Sequence, residues 1–76
     1  MSEKLPVISG KDLLKLLEKL GFRITRINGI HYRMKHDDDR VTTIPVHKND
    51  PIPKGLLRKI LREDVQITPE ELKGLL

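Results

Sequence analysis

The residues best placed to do chemistry lie in the stretch Ile30-His31-Tyr32-Arg33-Met34-Lys35. Apolar and polar positions alternate there, the pattern of a half-buried strand whose successive side chains point to opposite faces. With Ile30, Tyr32 and Met34 turned to a core, His31, Arg33 and Lys35 stand together on the solvent side. An imidazole titrates near neutral pH, so it can take a proton from a ribose 2′-hydroxyl or give one to a leaving oxygen. Two fixed cations beside it can hold a phosphate and stabilise the charge that builds up in the transition state. Such a set can cut RNA without a metal, and acid–base help of this kind is worth about 10²–10⁴ in rate.

Spacing alone is equally met by an ordinary polar strand face on which His31 is solvated and idle. His36 opens an acidic turn and His47 leads into a loop, and both read as bland. Asp37-Asp38-Asp39 reads as a solvated turn, because no His or carboxylate set has metal-ligand spacing. No Gly-rich phosphate loop follows a strand. Cysteine is absent, which excludes disulfides, thiolate metal sites and cysteine nucleophiles. No cofactor is expected. Phe22 and Tyr32 both fall on expected core positions, leaving no exposed ring on which to stack single-stranded bases. Recognition must then rest on backbone shape and charge, which is how double-stranded RNA is read.

The elements that would position these residues are legible. Ser9-Gly10-Lys11-Asp12 is a capping-box pattern, in which the Ser9 hydroxyl and the Asp12 carboxylate each serve the other's amide. Leu13, Leu16, Leu17 and Leu20 follow as one apolar helical stripe, and Gly21 supplies a left-handed stop. Phe22 to Ile27 reads as a strand, with Phe22 and Ile24 sharing a face. Asn28-Gly29 marks a hairpin, since both central residues of a type I′ turn need positive φ. After the polar turn from His36 to Arg40, Val41 to His47 reads as a third strand with Ile44 and Val46 inward. Its Pro45 argues for an edge position or a bulge.

Beyond the stiff segment from Lys48 to Lys54, Leu56, Leu57, Ile60 and Leu61 form the stripe of a second helix. Lys54, Arg58, Lys59 and Arg62 are its charged complement. Thr68-Pro69-Glu70-Glu71 caps a short terminal helix. The expected fold is α+β: a three-stranded antiparallel sheet with two helices on one face and the other face open. Residues 1–76 read as a single domain, with 63–76 an acidic C-terminal tail.

A chain of 76 residues buries only a modest fraction of its surface, so one thin core layer but no deep cleft is expected, and large substrates are favoured over small metabolites. The net charge is +4. Residues 1–62 hold 14 basic and 7 acidic side chains, whereas residues 63–76 hold 1 basic and 4 acidic. The body thus concentrates polyanions and the tail does not. No apolar run approaches the ~20 residues of a membrane span, and no apolar segment follows a basic start. A cytoplasmic location is expected.

Several stretches together resemble the HicA family, the small toxins of HicAB toxin–antitoxin pairs. They are Leu5-Pro6-Val7-Ile8-Ser9-Gly10-Lys11, Leu20-Gly21-Phe22, Asn28-Gly29-Ile30-His31, Thr42-Thr43-Ile44-Pro45-Val46-His47, and Lys54-Gly55-Leu56-Leu57-Arg58-Lys59-Ile60-Leu61. The resemblance implies a double-stranded-RNA-binding-domain-like fold, α-β-β-β-α, and a metal-independent endoribonuclease, an mRNA interferase. It also implies a HicB antitoxin that covers the active face. The family's catalytic histidine follows a glycine and a small hydroxyl residue, and it maps onto His31. In this chain the hydroxyl position is Ile30. A hydroxyl that holds a phosphate would be missing and cutting slowed, whereas a position that packs beneath the sheet, as the strand pattern has it, would leave the chemistry unaffected.

Three functions follow as expectations. The first is a toxin that cuts mRNA, with His31 as general acid or base and Arg33, Lys35, Lys11, Arg58 and Lys59 as RNA contacts. The second is a non-catalytic RNA-binding module on the same fold. The third is a protein whose basic face serves only an acidic protein partner.

Overall fold

The computed structural model describes residues 4–76. Helix α1 spans Gly10–Lys19, and the Asp12 amide donates to the Ser9 hydroxyl at 3.2 Å. That bond satisfies one of the amides a helix start leaves without a partner. At the other end the amides of Gly21 and Phe22 donate to the carbonyls of Glu18 and Leu17, both at 3.0 Å. Gly21 takes a φ of 101°, a left-handed value that suits glycine and completes a Schellman turn. The apolar stripe of α1 is buried at Leu13, Leu14, Leu16 and Leu17.

Strands β1 (Arg23–Asn28), β2 (His31–Lys35) and β3 (Val41–Pro45) form one antiparallel sheet in that order. Met34 and Ile44 are wholly buried, Thr42 is nearly so, and Tyr32 and Val46 are partly covered. The expected alternation therefore holds through β2 and β3, and Pro45 does lie on an edge strand.

In the sheet, two expected core positions are instead exposed. Asn28 pairs with His31, so the hairpin loop is Gly29-Ile30 rather than Asn28-Gly29. Gly29 has a φ of 60° and Ile30 is not in the positive region, the pattern of a type II′ turn. A turn position projects past the sheet, and Ile30 is 41% exposed rather than inward. Phe22 is buried, yet Ile24 is 38% exposed, and every residue of β1 is exposed. The helices pack against β3 on the far side of the sheet. In addition, a bulge between Ile24 and Arg26 breaks the period of β1.

Helix α2 (Lys54–Lys59) continues without interruption as a π-helical stretch over Ile60–Val65. Hydrogen bonding to the fifth residue puts Ile60 and Val65 on one side, and both are buried with Leu57 and Leu61. Leu56, expected in the same stripe, is exposed instead. Gln66 ends the stretch in a left-handed conformation. Helix α3 (Pro69–Lys73) has both halves of a capping box between Thr68 and Glu71. The acidic segment does not trail from the body, for Val65, Pro69 and Leu72 are buried.

Two contacts hold the parts in register. A Cβ added to Gly10 would lie 2.0 Å from the Pro45 carbonyl oxygen, so the first turn of α1 rests directly on the β3 backbone. Arg40 joins three elements. Its guanidinium donates to the Val65 carbonyl, its Nε lies 2.8 and 3.0 Å from the Asp38 carboxylate oxygens, and it stacks 5.1 Å from the Phe22 ring centre.

Gly10→Ala gains at most about 1 kcal/mol of helix propensity. The clash is with backbone, which cannot swing aside, and overpacking of this kind costs about 1–3 kcal/mol or more. The variant should be less stable in urea unfolding, and a raised midpoint would show that α1 can shift freely. Acid should act at Asp38, where the side-chain hydrogen bond from Arg40 holds the carboxyl below its usual value against the opposing effect of desolvation. Such a group contributes fully above its unfolded pKa of about 3.9 and loses that contribution as pH falls through the lower native value. Asp38→Asn should therefore flatten the acid limb of stability against pH below about 4, measured as urea midpoints across a pH series.

Candidate functional site

Pairing places His31 opposite Pro45, Arg33 opposite Thr43 and Lys35 opposite Val41, all on the face away from Met34 and Ile44. This face does not stay flat, because α2 and its π-helical continuation run beside the edge strand β3. Between them lies an open groove of about 420 Å³, lined among others by His31, Arg33 and Thr43 from the sheet and by Leu56, Lys59 and Asp64 from the helix. Two cations from different elements, Arg33 and Lys59, thus border the same space as the imidazole of His31.

Asp64 is the acidic member of the lining. Its Oδ2 accepts from the Thr42 hydroxyl at 2.9 Å, which holds the carboxylate toward the sheet. The Leu56 side chain supplies an apolar wall. Its exposure follows from a helix that meets the sheet at an edge: one flank of the stripe enters the core and the other borders the groove.

The other expected contact residues are distributed differently. Lys35 shares the outward face but lies 3.6 Å from Asp39, and both side chains are well exposed, so that pair is worth little. Lys11 sits in the first turn of α1 and is exposed. Arg58 borders a separate groove with Leu5, Leu61, Arg62 and Ile67. The fold therefore joins His31, Arg33 and Lys59, leaves Lys35 beside them, and sets Lys11 and Arg58 apart.

The three histidines differ in how they are held. Nδ1 of His36 accepts from the Asp38 amide at 3.1 Å, so Nε2 carries the hydrogen and donates to the Leu20 carbonyl at 3.0 Å. Its ring meets Phe22 edge-on at 5.1 Å; both nitrogens are thereby committed to the fold. His47 is exposed and its Nδ1 lies 2.8 Å from Asp50 Oδ2. His31 makes no side-chain hydrogen bond among the described residues and is open to a ligand.

Thr43 and Asp64 are groove residues that the sequence pattern did not single out, and Leu56 is one that it assigned to the core. Thr43 could have been found by counting back from the hairpin, since its partner is Arg33. Asp64 carries no such signal, because its direction depends on the π-helical turn. Among the described residues no three His, Asp or Glu side chains gather as a metal ion would require, and no helix is long and apolar enough to cross a membrane.

A family model described as the HicA toxin of bacterial toxin–antitoxin systems matches residues 10–64. The match begins at the first residue of α1 and ends at Asp64, so it takes in every residue named above in the His31 groove. No curated protein matches the chain.

Thr42→Val keeps the side-chain shape and removes the donor to Asp64. Loss of one such bond to a charged, half-covered acceptor should lower stability by about 1–3 kcal/mol, read as a reduced urea midpoint. An unchanged midpoint would mean that water replaces the hydroxyl at no cost.

Proposed function

The chain belongs to the HicA family of toxins of bacterial toxin–antitoxin systems, and from that premise we propose that it is a metal-independent endoribonuclease that cuts mRNA. The convergence of His31, Arg33 and Lys59 in one open groove is the observation that carries this reading. A groove that is not enclosed suits a polymer laid across it rather than a metabolite held inside it.

In this mechanism His31 acts as general base or acid at the scissile ribose-phosphate. Arg33 and Lys59 hold the phosphate from two sides and stabilise the charge of the transition state. Arg33 can present a planar pair of donors and Lys59 a point charge. Lys35, Lys11 and Arg58 contact the backbone further along the RNA, on a fold that works as a double-stranded-RNA-binding domain does. This location of substrate makes the activity cytoplasmic.

A toxin of such a pair has a cognate antitoxin. We assign that role to a HicB-like protein whose acidic surface covers the basic groove and excludes RNA from it. Charge complementarity of this kind speeds association and selects the partner.

A second reading, a non-catalytic RNA-binding module, draws support from Ile30. The HicA resemblance puts a hydroxyl residue before the histidine, and here an isoleucine is exposed at that turn. One experiment separates the two. Induction of the parent should arrest growth with loss of mRNA, while His31→Ala should do neither and should cleave RNA about 10²–10⁴ times more slowly when purified. Intact RNA with the parent, bound with an affinity that falls as salt rises, would establish the module instead.

A further inference from the structure

Cleavage of RNA through its 2′-oxygen moves two protons: one leaves the 2′-hydroxyl and one must reach the departing 5′-oxygen. His31 can serve one end. The opposite end needs a second group across the same phosphate. His36 is unavailable, since both its nitrogens are bound within the fold. We propose that His47, held by Asp50, is that second group, an inference that rests on the ribonuclease reading above.

The pairing of β2 with β3 runs as far as His31 and Pro45. It continues one step further, because the Val46 amide donates to the Ile30 carbonyl at 2.7 Å. Alternation carried one residue past that bond, beyond the end of β3, puts His47 on the side of the sheet that carries His31. Diagonal neighbours on one face of an antiparallel pair lie about 7–8 Å apart. Two imidazoles set two residues apart on one side of the sheet can approach opposite sides of one phosphodiester.

His47 is also held as a proton donor must be. A carboxylate can only accept, so Nδ1 carries the hydrogen in its 2.8 Å contact with Asp50 Oδ2. That leaves Nε2 as the nitrogen turned from the carboxylate. The dyad is local and firmly based: the Asp50 amide donates to the His47 carbonyl at 3.1 Å, and Lys48 between them takes the left-handed φ of 55° that closes the turn. Downstream, Pro51 bridges to Ser9 and the Ile52 amide donates to the Ile8 carbonyl at 2.8 Å. The turn is thus tied to the chain entering α1.

The step balances. His31 accepts the 2′-hydroxyl proton as the 2′-oxygen bonds to phosphorus. The bond from phosphorus to the 5′-oxygen breaks, its electron pair stays on that oxygen, and protonated His47 delivers the proton from Nε2. The products are a 2′,3′-cyclic phosphate and a 5′-hydroxyl. Solvent water returns both imidazoles to their starting states. Asp50 is a positioning residue, for it acts only through His47.

The test uses the full chain and a synthetic RNA spanning a cleavage site mapped with the parent, made once with the natural 5′-oxygen and once with sulfur in its place. A thiolate leaves without protonation, so it removes the need for an acid. His47→Ala should cut the natural RNA at least about 10²-fold more slowly than the parent and approach the parental rate on the sulfur-substituted RNA. Asp50→Asn should show a smaller loss with the same recovery, whereas His31→Ala should stay slow on both. Parental rates for His47→Ala on natural RNA, or an equal deficit on both substrates, would overturn the proposal while leaving the ribonuclease intact. A parent that cuts no RNA would overturn the ribonuclease reading itself. Far-UV circular dichroism confirms that each variant is folded, and the exposure of His47 makes loss of the fold at that position unexpected.

Discussion

Met34 and Ile44 have no exposed surface, and burying them in one cluster with Leu13, Leu17 and Leu57 is the constraint from which the rest of the molecule follows. Each such side chain contributes about 1.5–3 kcal/mol when removed from water. Slipping β2 by one residue would exchange Met34 for Arg33 or Lys35 in the core and forfeit that contribution while burying a charge. The strand therefore has one acceptable register. His31 and Arg33 face outward because their neighbours cannot.

Close approach of the helices makes this burial complete at one end of the sheet and incomplete at the other. At Gly10 the lack of a side chain lets α1 touch the β3 backbone at Pro45. At Arg40 a half-buried guanidinium draws together Asp38, the Phe22 ring and the Val65 carbonyl. A shared, partly covered cation with several acceptors outweighs an exposed pair such as Lys35 with Asp39. Strand β1 lies outside this arrangement. Its bulge and its arginines, one paired with Asp37, discourage a further strand from adding to the open edge.

The same packing converts a sheet face into a groove. The π-helical continuation of α2 packs against β3, and it turns Ile60 and Val65 inward together. Lys59 and Asp64 then border the space above Arg33 and Thr43. Stretches of π-helix recur near functional sites, and here the stretch carries Asp64 to the groove.

Local rules determined much of this protein from its sequence alone. Ser9, Gly21, Thr68 and Glu71 act within a few residues of their partners, so the helix ends were readable. The period of two in β2 put His31, Arg33 and Lys35 on one face. Where a residue's fate depended on distant chain, the sequence could not speak. Ile30 and Ile24 have apolar side chains in strand-like settings, yet a one-residue difference in turn position and the absence of a helix over β1 left both exposed. Arg58 and Lys59 are adjacent in sequence and both positively charged, but only tertiary structure sends Lys59 to the His31 groove and Arg58 to another. The reason is that periodicity gives a direction relative to a residue's own element, whereas a site requires the position of one element relative to the next, and that is set by packing.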